Sequence, residues 1–275
     1  MMCSQSSSHA ASRDDFVVVT GMHRSHTSLL GRMLAASGIK FHHAMVGEHR
    51  SNPYGHYEDI EFMQLQEDAL RSVGARWYRN IDSVRTFDHS DRDRASDLVL
   101  ERTEELGPGW AFKVPHSSLF LEEWASFKNS RFLLIFREPA PVLSSMYRRM
   151  GWQFYARPDA IVAMARAYAI YNERLAEHKR RYPDRTFLID SRDMLADPHK
   201  VLSAANVKLD MKLSLDWQPG DLVDQDIVSA NSQPLEAWAT RRLARLPRVK
   251  EAYRSVQLLA DTGDRLVEVD VGRAS

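Results

Sequence analysis

The sequence contains a single cysteine, Cys3, in 275 residues, so it cannot form an internal disulfide. No apolar run approaches the length of a membrane span, and the first residues lack the apolar core of a secretory signal. Lysine plus arginine and aspartate plus glutamate both number 37, so no overall charge recruits nucleic acid or an acidic membrane. We therefore expect a protein of a reducing compartment, the cytoplasm, without nucleic-acid or membrane partners.

Strand and helix patterns alternate along the chain, and 44% of the residues are hydrophobic, enough for one sizeable core. We predict a disordered tail over 1–14 and one domain over 15–275. The strand patterns cover Phe16–Val19, Trp110–Val114, Arg131–Phe136 and Thr186–Ile189. The helical patterns cover Glu58–Val73, Ser90–Leu106, Val142–Met150, Pro158–Arg181 and, as one helix or two, Pro234–Ala260. This alternation predicts an α/β fold whose parallel sheet has helices on both faces and binds ligand at the carboxyl ends of its strands.

The first strand leads through a short loop directly into a helical pattern, in the sequence FVVVTGMHRSHTSLLGRML. Such a loop aims several backbone N–H groups and the positive end of the helix dipole at one point, where an anion can bind. Gly21 allows the turn and Arg24 adds a positive charge. The residues that we expect at the anion are Gly21, His23, Arg24, Ser25, His26, Thr27 and Ser28. Phosphate is the anion that this arrangement favours.

The loop lacks the lysine of the triphosphate-binding motif G-x-x-x-x-G-K-[ST], because His26, Thr27 and Ser28 occupy its last three positions. That lysine bridges the terminal phosphates of ATP or GTP, so its absence argues against triphosphate hydrolysis but not against phosphate binding. Arg24 supplies a cation earlier in the loop. A small-molecule kinase remains an alternative, but it needs a magnesium-binding carboxylate where an arginine follows the strand Arg131–Phe136.

A second basic motif, FREPAPVLSSMY, begins at the end of the strand Arg131–Phe136. Arg137 follows the strand directly, and Ser145 lies about two helical turns further on. A loop that doubles back brings this guanidinium and this hydroxyl to the same phosphate. Lys113, near the end of another predicted strand, is out of place unless an anion meets it. We expect the motifs at Gly21, Lys113 and Arg137 to converge on one edge of the sheet.

These motifs resemble those of the sulfotransferases that use PAPS, 3'-phosphoadenosine 5'-phosphosulfate. The sequence G-M-H-R-S-x-T-S-L resembles the family's 5'-phosphosulfate loop, above all the GMHRSGTS loop of soluble bacterial-type members. His26 stands where the family has glycine, and histidine is among the residues that tolerate a positive φ. The family's 3'-phosphate motif, R-x-P-x-x-V-x-x-S, falls on Arg137, Pro139, Val142 and Ser145. A donor with two separated phosphates needs two anion sites, whereas a triphosphate needs one continuous cradle.

The resemblance implies a central parallel sheet like that of P-loop nucleotide hydrolases, PAPS as co-substrate and no metal. It implies transfer of a sulfuryl group to a hydroxyl or amine of a small-molecule or sugar acceptor, giving PAP. Arg24 and Lys113 are then the cations that stabilise the bridging and transferring oxygens. Glu58 is our first candidate for the base that removes the acceptor proton, and His116 and His56 compete with it. A protein that binds PAP without turnover is a second alternative.

The segment Gly38–Tyr57 lacks clear periodicity and carries four histidines, His42, His43, His49 and His56. Their spacing matches no common zinc signature and no cysteine accompanies them, so we predict polar loop residues rather than a metal site. The tyrosine that some soluble sulfotransferases place against adenine has no counterpart near Ser191–Asp193. The sequence therefore leaves the adenine contacts, the acceptor and the oligomeric state unassigned.

Overall fold

The computed structural model describes residues 15–45, 57–150, 158–222 and 234–262 of the chain. Within them, four strands form one parallel sheet in the order β2-β1-β3-β4. The strands are β1 (Phe16–Thr20), β2 (Trp110–Lys113), β3 (Arg131–Phe136) and β4 (Thr186–Asp190). The predicted parallel α/β sheet is confirmed, and the predicted strand ends differ from these by about one residue, an ordinary uncertainty of element boundaries.

Helices connect and cover the strands. They are α1 (Thr27–Ala36), α2 (Ile60–Ser72), α3 (His89–Leu106), α4 (Leu121–Ala125), α5 (Pro139–Met150), α6 (Pro158–Arg181), α7 (Ser191–Ala196), α8 (Pro198–Leu209), α9 (Pro219–Leu222), α10 (Pro234–Ala244) and α11 (Pro247–Leu259). Short 3₁₀ turns cover Pro115–Leu119 and Pro183–Arg185. In the part of the chain that the structure describes, no helix is long and apolar enough to cross a membrane.

α3 begins one residue before its predicted start, and two other helices begin two or three residues from theirs. α2 begins at Ile60 rather than Glu58, because the Asp59 carboxylate accepts hydrogen bonds from two backbone N–H groups of the first turn and caps the helix there. Glu58 therefore stands outside the helix. α5 begins at Pro139 rather than Val142, since proline suits the first position of a helix, where its missing N–H costs nothing.

Both faces of the sheet are buried, because successive side chains of a strand point to opposite faces. From β1, Phe16 and Val18 enter a core formed with α2, α3, α5, α6 and α11. Val17 and Val19 enter a second core on the other face, formed with α1 and α8. The sheet with helices on both faces, which the alternating pattern predicted, is confirmed.

The direction in which the chain crosses the sheet changes between β1 and β3. From β1 the chain passes to β2 on one side, and β3 and β4 then add on the other side of β1. In open parallel sheets, a crevice for ligands forms outside the carboxyl ends of the strands at such a switch point. The loops that leave β1 and β3 there are the two that carry the basic motifs, at Gly21–Ser28 and Arg137–Ser145.

Candidate active site

The loop after β1 is held in an unusual backbone conformation. A Cβ atom on Gly21 would lie 2.1 Å from the carbonyl oxygen of Ile135 in β3, so only glycine fits beside that strand. Arg24 and His26 have φ values of 68° and 65°, in the left-handed region that few non-glycine residues adopt. Each such residue costs on the order of 1 to 3 kcal/mol, and strain of this kind clusters at ligand sites. The positive φ that we expected His26 to tolerate is confirmed.

The same loop presents open hydrogen-bonding groups at the start of α1. The His26 side chain makes no capping hydrogen bond, and the first turn of the helix contains no acidic residue. The Ser25 hydroxyl and one ring nitrogen each of His23 (Nε2) and His26 (Nδ1) are buried without a hydrogen-bond partner. Buried polar groups normally have partners, and an uncapped helix start favours a negative charge. These residues thus fit a bound phosphate or phosphosulfate.

The two basic motifs meet in the crevice between β1 and β3. The Arg24 side chain donates a hydrogen bond through Nε to the Ser145 hydroxyl, at 2.7 Å. Arg137 donates through Nη1 to the backbone carbonyl of Arg24, at 3.2 Å. The Tyr168 hydroxyl donates to the carbonyl of Arg137, at 2.7 Å, and fixes the backbone there. The convergence that the sequence predicted for the Gly21 and Arg137 motifs is therefore present in the fold.

Four arginines crowd around this crevice. Burial, together with the positive charges of Arg24 and Arg148, lowers the pKa of Arg137 to about 10. Burial also lowers the pKa of Arg24, with Arg149 and Arg148 adding to the effect. Positive charges that lie close together repel each other, and an anion bound among them relieves this repulsion. Sequence reasoning missed Arg148 and Arg149, which lie near the end of α5, the helix that follows Arg137.

Lys113 ends β2 and is fully buried, where it is paired with Glu58. Its Nζ lies 2.7 Å from Glu58 Oε1 and 3.4 Å from the Ser28 hydroxyl, which links β2 to the start of α1. Burial lowers the pKa of Lys113, and the Glu58 carboxylate opposes that shift. Glu58 is not an acid of the first helical turn, because α2 begins two residues later, after the Asp59 cap.

Two histidines form a buried cluster beside the lysine. His116 lies in the 3₁₀ turn after β2; burial lowers its pKa to about 4, and neither ring nitrogen has a partner. Burial holds the pKa of His23 well below its ordinary value. The centroid of the His23 ring lies 5.1 Å from that of His116 and 4.7 Å from that of Trp77. The Tyr171 hydroxyl nearby is also buried without a partner. Both imidazoles are neutral at pH 7 and can accept a proton. His56, the third candidate base, lies outside the described residues.

An open pocket of about 290 Å³ adjoins the second motif. It is lined by Glu138 and the start of α5, by Arg241 of α10 and Lys250 of α11, and by Arg245 in the turn between those two helices. The sequence did not single out these C-terminal basic residues, because they belong to no motif of the resembled family. The pocket places further positive charge on the Arg137 side of the crevice.

Comparisons with known proteins agree with this architecture. A family model described as "Sulfotransferase family" matches residues 16–214. The structure is similar to sulfotransferase STF1 from Mycobacterium tuberculosis, with a TM-score of 0.62 and 16% identity over 86% of this chain and 76% of that one. It is also similar to a sulfotransferase from Alicyclobacillus acidocaldarius, with a TM-score of 0.52 and 12% identity over 90% and 96% of the two chains. No curated protein matches the sequence. At these identities the structural likeness concerns the fold.

Proposed function

Because this chain belongs to the sulfotransferase family, we propose that it moves a sulfuryl group from PAPS to a hydroxyl or amine of a small-molecule or sugar acceptor, releasing PAP. The observation that carries this proposal is the meeting of two basic loops at the switch point, where Arg24 contacts Ser145 and Arg137 contacts the Arg24 backbone. One nucleotide with separated phosphate groups fits two anion sites that touch each other. The cytoplasmic location and the absence of nucleic-acid and membrane partners stay predictions from the sequence.

In the proposed complex, each loop holds one end of the donor. The N–H groups at the start of α1, together with Ser25 and Thr27, hold the 5'-phosphosulfate, since the first turn of this helix contains no acidic residue. Arg137 and Ser145 hold the 3'-phosphate. Arg24 connects the two ends, because its side chain reaches Ser145 while its backbone belongs to the first loop.

Lys113 supplies the charge for the transfer step. During transfer, a bond forms between the acceptor oxygen or nitrogen and sulfur, and the bond between sulfur and the bridging phosphate oxygen breaks. Negative charge grows on the bridging oxygen, which then leaves with PAP. The Lys113 ammonium beside Ser28, and the Arg24 guanidinium, stabilise that charge in a site where burial strengthens electrostatic interactions.

The acceptor proton passes to a side chain next to Lys113. Glu58 is our proposed base, because its carboxylate touches the lysine that stabilises the transferring group and therefore lies close to the reacting atoms. His116 is the competing base: burial lowers its pKa to about 4, so it is neutral at pH 7, and its ring nitrogens have no partner among the described residues. His23, Trp77 and His116 then form one wall of the acceptor pocket.

Two measurements test the proposal: the formation of products from PAPS, and the affinities for PAPS and AMP determined by calorimetry. The protein is incubated with PAPS and a panel of phenols, amines and sugars, and PAP and sulfated products are separated by chromatography. PAPS should bind more tightly than AMP, which lacks both the 3'-phosphate and the sulfuryl group, and PAP should appear in equal amount to the sulfated product. Equal affinities for PAPS and AMP would contradict the proposal whatever acceptors the panel contains.

A further inference from the structure

A separate polar cluster lies where the segment after α1 meets the end of α3. His42 Nε2 is 3.3 Å from Glu105 Oε2, and His43 Nδ1 is 3.4 Å from Glu105 Oε1. One ligand atom from each of the three residues lies within 4.8 Å of the others. We propose that His42, His43 and Glu105 bind one divalent transition-metal ion of the zinc type. This inference does not depend on the proposed sulfuryl transfer.

The distances among these atoms suit a small metal ion. Zinc binds imidazole nitrogen and carboxylate oxygen at about 2.0 to 2.2 Å, so neighbouring ligand atoms of a tetrahedral site lie roughly 3.3 Å apart. The separations of Glu105 from His42 and His43 are close to that value. Two imidazoles and one carboxylate favour zinc, nickel or copper over magnesium or calcium, which prefer sets of oxygen ligands. Three protein ligands leave a fourth position for water.

The environment of His42 orients its ring for binding. The side chain is only 8% exposed, and Nδ1 is buried without a hydrogen-bond partner. Nδ1 faces Asp59 Oδ2 at 3.7 Å, while Nε2 faces Glu105. A histidine that binds a metal usually turns its other ring nitrogen towards a carboxylate, which fixes the tautomer and makes the binding nitrogen more basic. His42 lies between two carboxylates in this way.

A second set of possible metal ligands near His42 is already paired with an arginine. Asp59 and Glu61 also lie close to His42, but both are paired with Arg102, which is fully buried. A cation in direct contact with both carboxylates excludes a metal ion from that side. Glu105 has no such arginine among its ion pairs with described residues, which are those with His42 and His43. The site therefore forms on the Glu105 side of His42.

This proposal departs from our sequence prediction of no metal site among these histidines. The prediction rested on spacing within the segment, whereas Glu105 lies at the end of α3, far along the chain. A bound ion would tie the segment at His42 to α3. It would also steady Asp59, which pairs with Met45 in an isolated bridge and adjoins Glu58.

The test is metal titration of the untagged full-length protein after treatment with a chelator. Zinc should bind at one ion per chain and raise the unfolding temperature by several degrees at saturation, on the order expected from mass action. Cobalt should give the visible absorption of a tetrahedral site. H43A and E105Q should each weaken zinc binding at least about 10- to 100-fold. Both side chains are largely outside the core, at 81% and 40% exposed, so the variants keep the fold.

His89→Ala is the matched control, because His89 is an exposed histidine 3.0 Å from the Asp93 carboxylate and belongs to none of the three-ligand clusters formed by the described residues. It should leave zinc affinity unchanged. The proposal is overturned if the stripped protein takes up no zinc, or if H43A and E105Q bind it as the parent does. It is also overturned if binding is lost in H49A or H56A but kept in H43A, since the ion then lies elsewhere.

Discussion

The cations at the carboxyl edge of the sheet fall into two groups that differ in what balances their charge. Arg24 and Arg137 are partly buried, and burial together with the charges of neighbouring arginines lowers their pKa values; Glu138 only partly offsets this at Arg137. Lys113 is buried more completely but has the Glu58 carboxylate at 2.7 Å. Within the described residues, the hydrogen-bond partners of the Arg24 and Arg137 side chains are a hydroxyl and a carbonyl oxygen, whereas Lys113 has a carboxylate.

The difference separates binding from chemistry. A group of like charges is most stable when an external anion joins it. The arginine group, formed by Arg24 and Arg137, is therefore suited to hold the phosphates of a nucleotide. In a buried pair of opposite charges, the lysine already balances the carboxylate. When a new anion approaches the lysine, the carboxylate becomes more basic and can accept a proton. Variants in the two groups should therefore affect different measurements.

The largest expected effect is on the rate of transfer in Glu58→Gln. The substitution keeps the shape of the side chain but removes the proposed base, so turnover should fall roughly 10²-fold to 10⁴-fold. PAP affinity should stay nearly unchanged, because Glu58 pairs with Lys113 at the end of β2, whereas Arg24 and Arg137 belong to the loops after β1 and β3. Initial rates and calorimetry on the same preparation measure the two quantities.

His116→Asn is the companion variant, since His116 is the competing base. It should lower the rate less than Glu58→Gln does. If His116→Asn abolishes transfer while Glu58→Gln retains most of it, the imidazole is the base and the carboxylate serves only to hold Lys113.

The next effect concerns Arg137→Ala and the 3'-phosphate. Loss of a charge-assisted contact should weaken the binding of PAP by about 2 to 3 kcal/mol, or roughly 30- to 150-fold in affinity. Adenosine 5'-phosphosulfate, which has no 3'-phosphate, should lose little affinity. Arg192→Ala is a matched control at the same edge of the sheet, because Arg192 is already paired with Asp190 at 2.8 Å. Equal losses for both nucleotides would mean that Arg137 only supports the loop.

Much of this comparison follows from the sequence, because the elements that position it are local. A run of apolar residues predicts β1 and β3, and glycine or arginine directly after a strand marks each loop. The Glu58 pairing was not predictable in the same way. The Asp59 cap decides where α2 begins, and the partner, Lys113, lies in another part of the chain.

Contacts between distant segments account for the other omissions. His23 contacts both His116 and Trp77 only because the fold packs the turn after β2 against the loop after β1. Glu105 approaches His42 because α3 ends beside the segment after α1. No spacing rule within one segment contains this information, since it depends on how the helices pack.

A smaller effect concerns stability in acid and extends the comparison to histidine. Burial lowers the pKa of His26 and His178 to about 3 and of His116 to about 4. The unfolded chain, with ordinary histidine pKa values near 6.5, binds protons first as the pH falls. The free energy of unfolding should therefore decrease from about pH 6.5 towards pH 4, by up to about 1.4 kcal/mol per pH unit for each buried histidine.

His178→Gln isolates one histidine away from the site, packed on Phe132. Between pH 7 and pH 5 this variant should lose about 2 kcal/mol less stability than the parent, as measured by urea unfolding. An identical loss in both proteins would contradict a neutral, buried His178.

The smallest effect is expected at His26, whose φ is 65°. His26→Gly removes the left-handed strain and should stabilise the fold by about 1 kcal/mol or less. PAP affinity should change less than about tenfold, since the backbone N–H groups of α1 remain. Lys212→Gly, at a φ of 57° outside the site, is the control and should alter stability alone. A large loss of PAP affinity in His26→Gly would assign the imidazole a direct contact.

Calorimetry with two nucleotides tests the central claim, that the arginine group binds a nucleotide with separated 5' and 3' phosphates. PAP should bind without magnesium and at least about tenfold more tightly than ATP with magnesium, because Arg137 and Ser145 meet a 3'-phosphate and the loop has no lysine for a triphosphate. Magnesium-dependent ATP binding that is tighter than PAP binding would contradict the account.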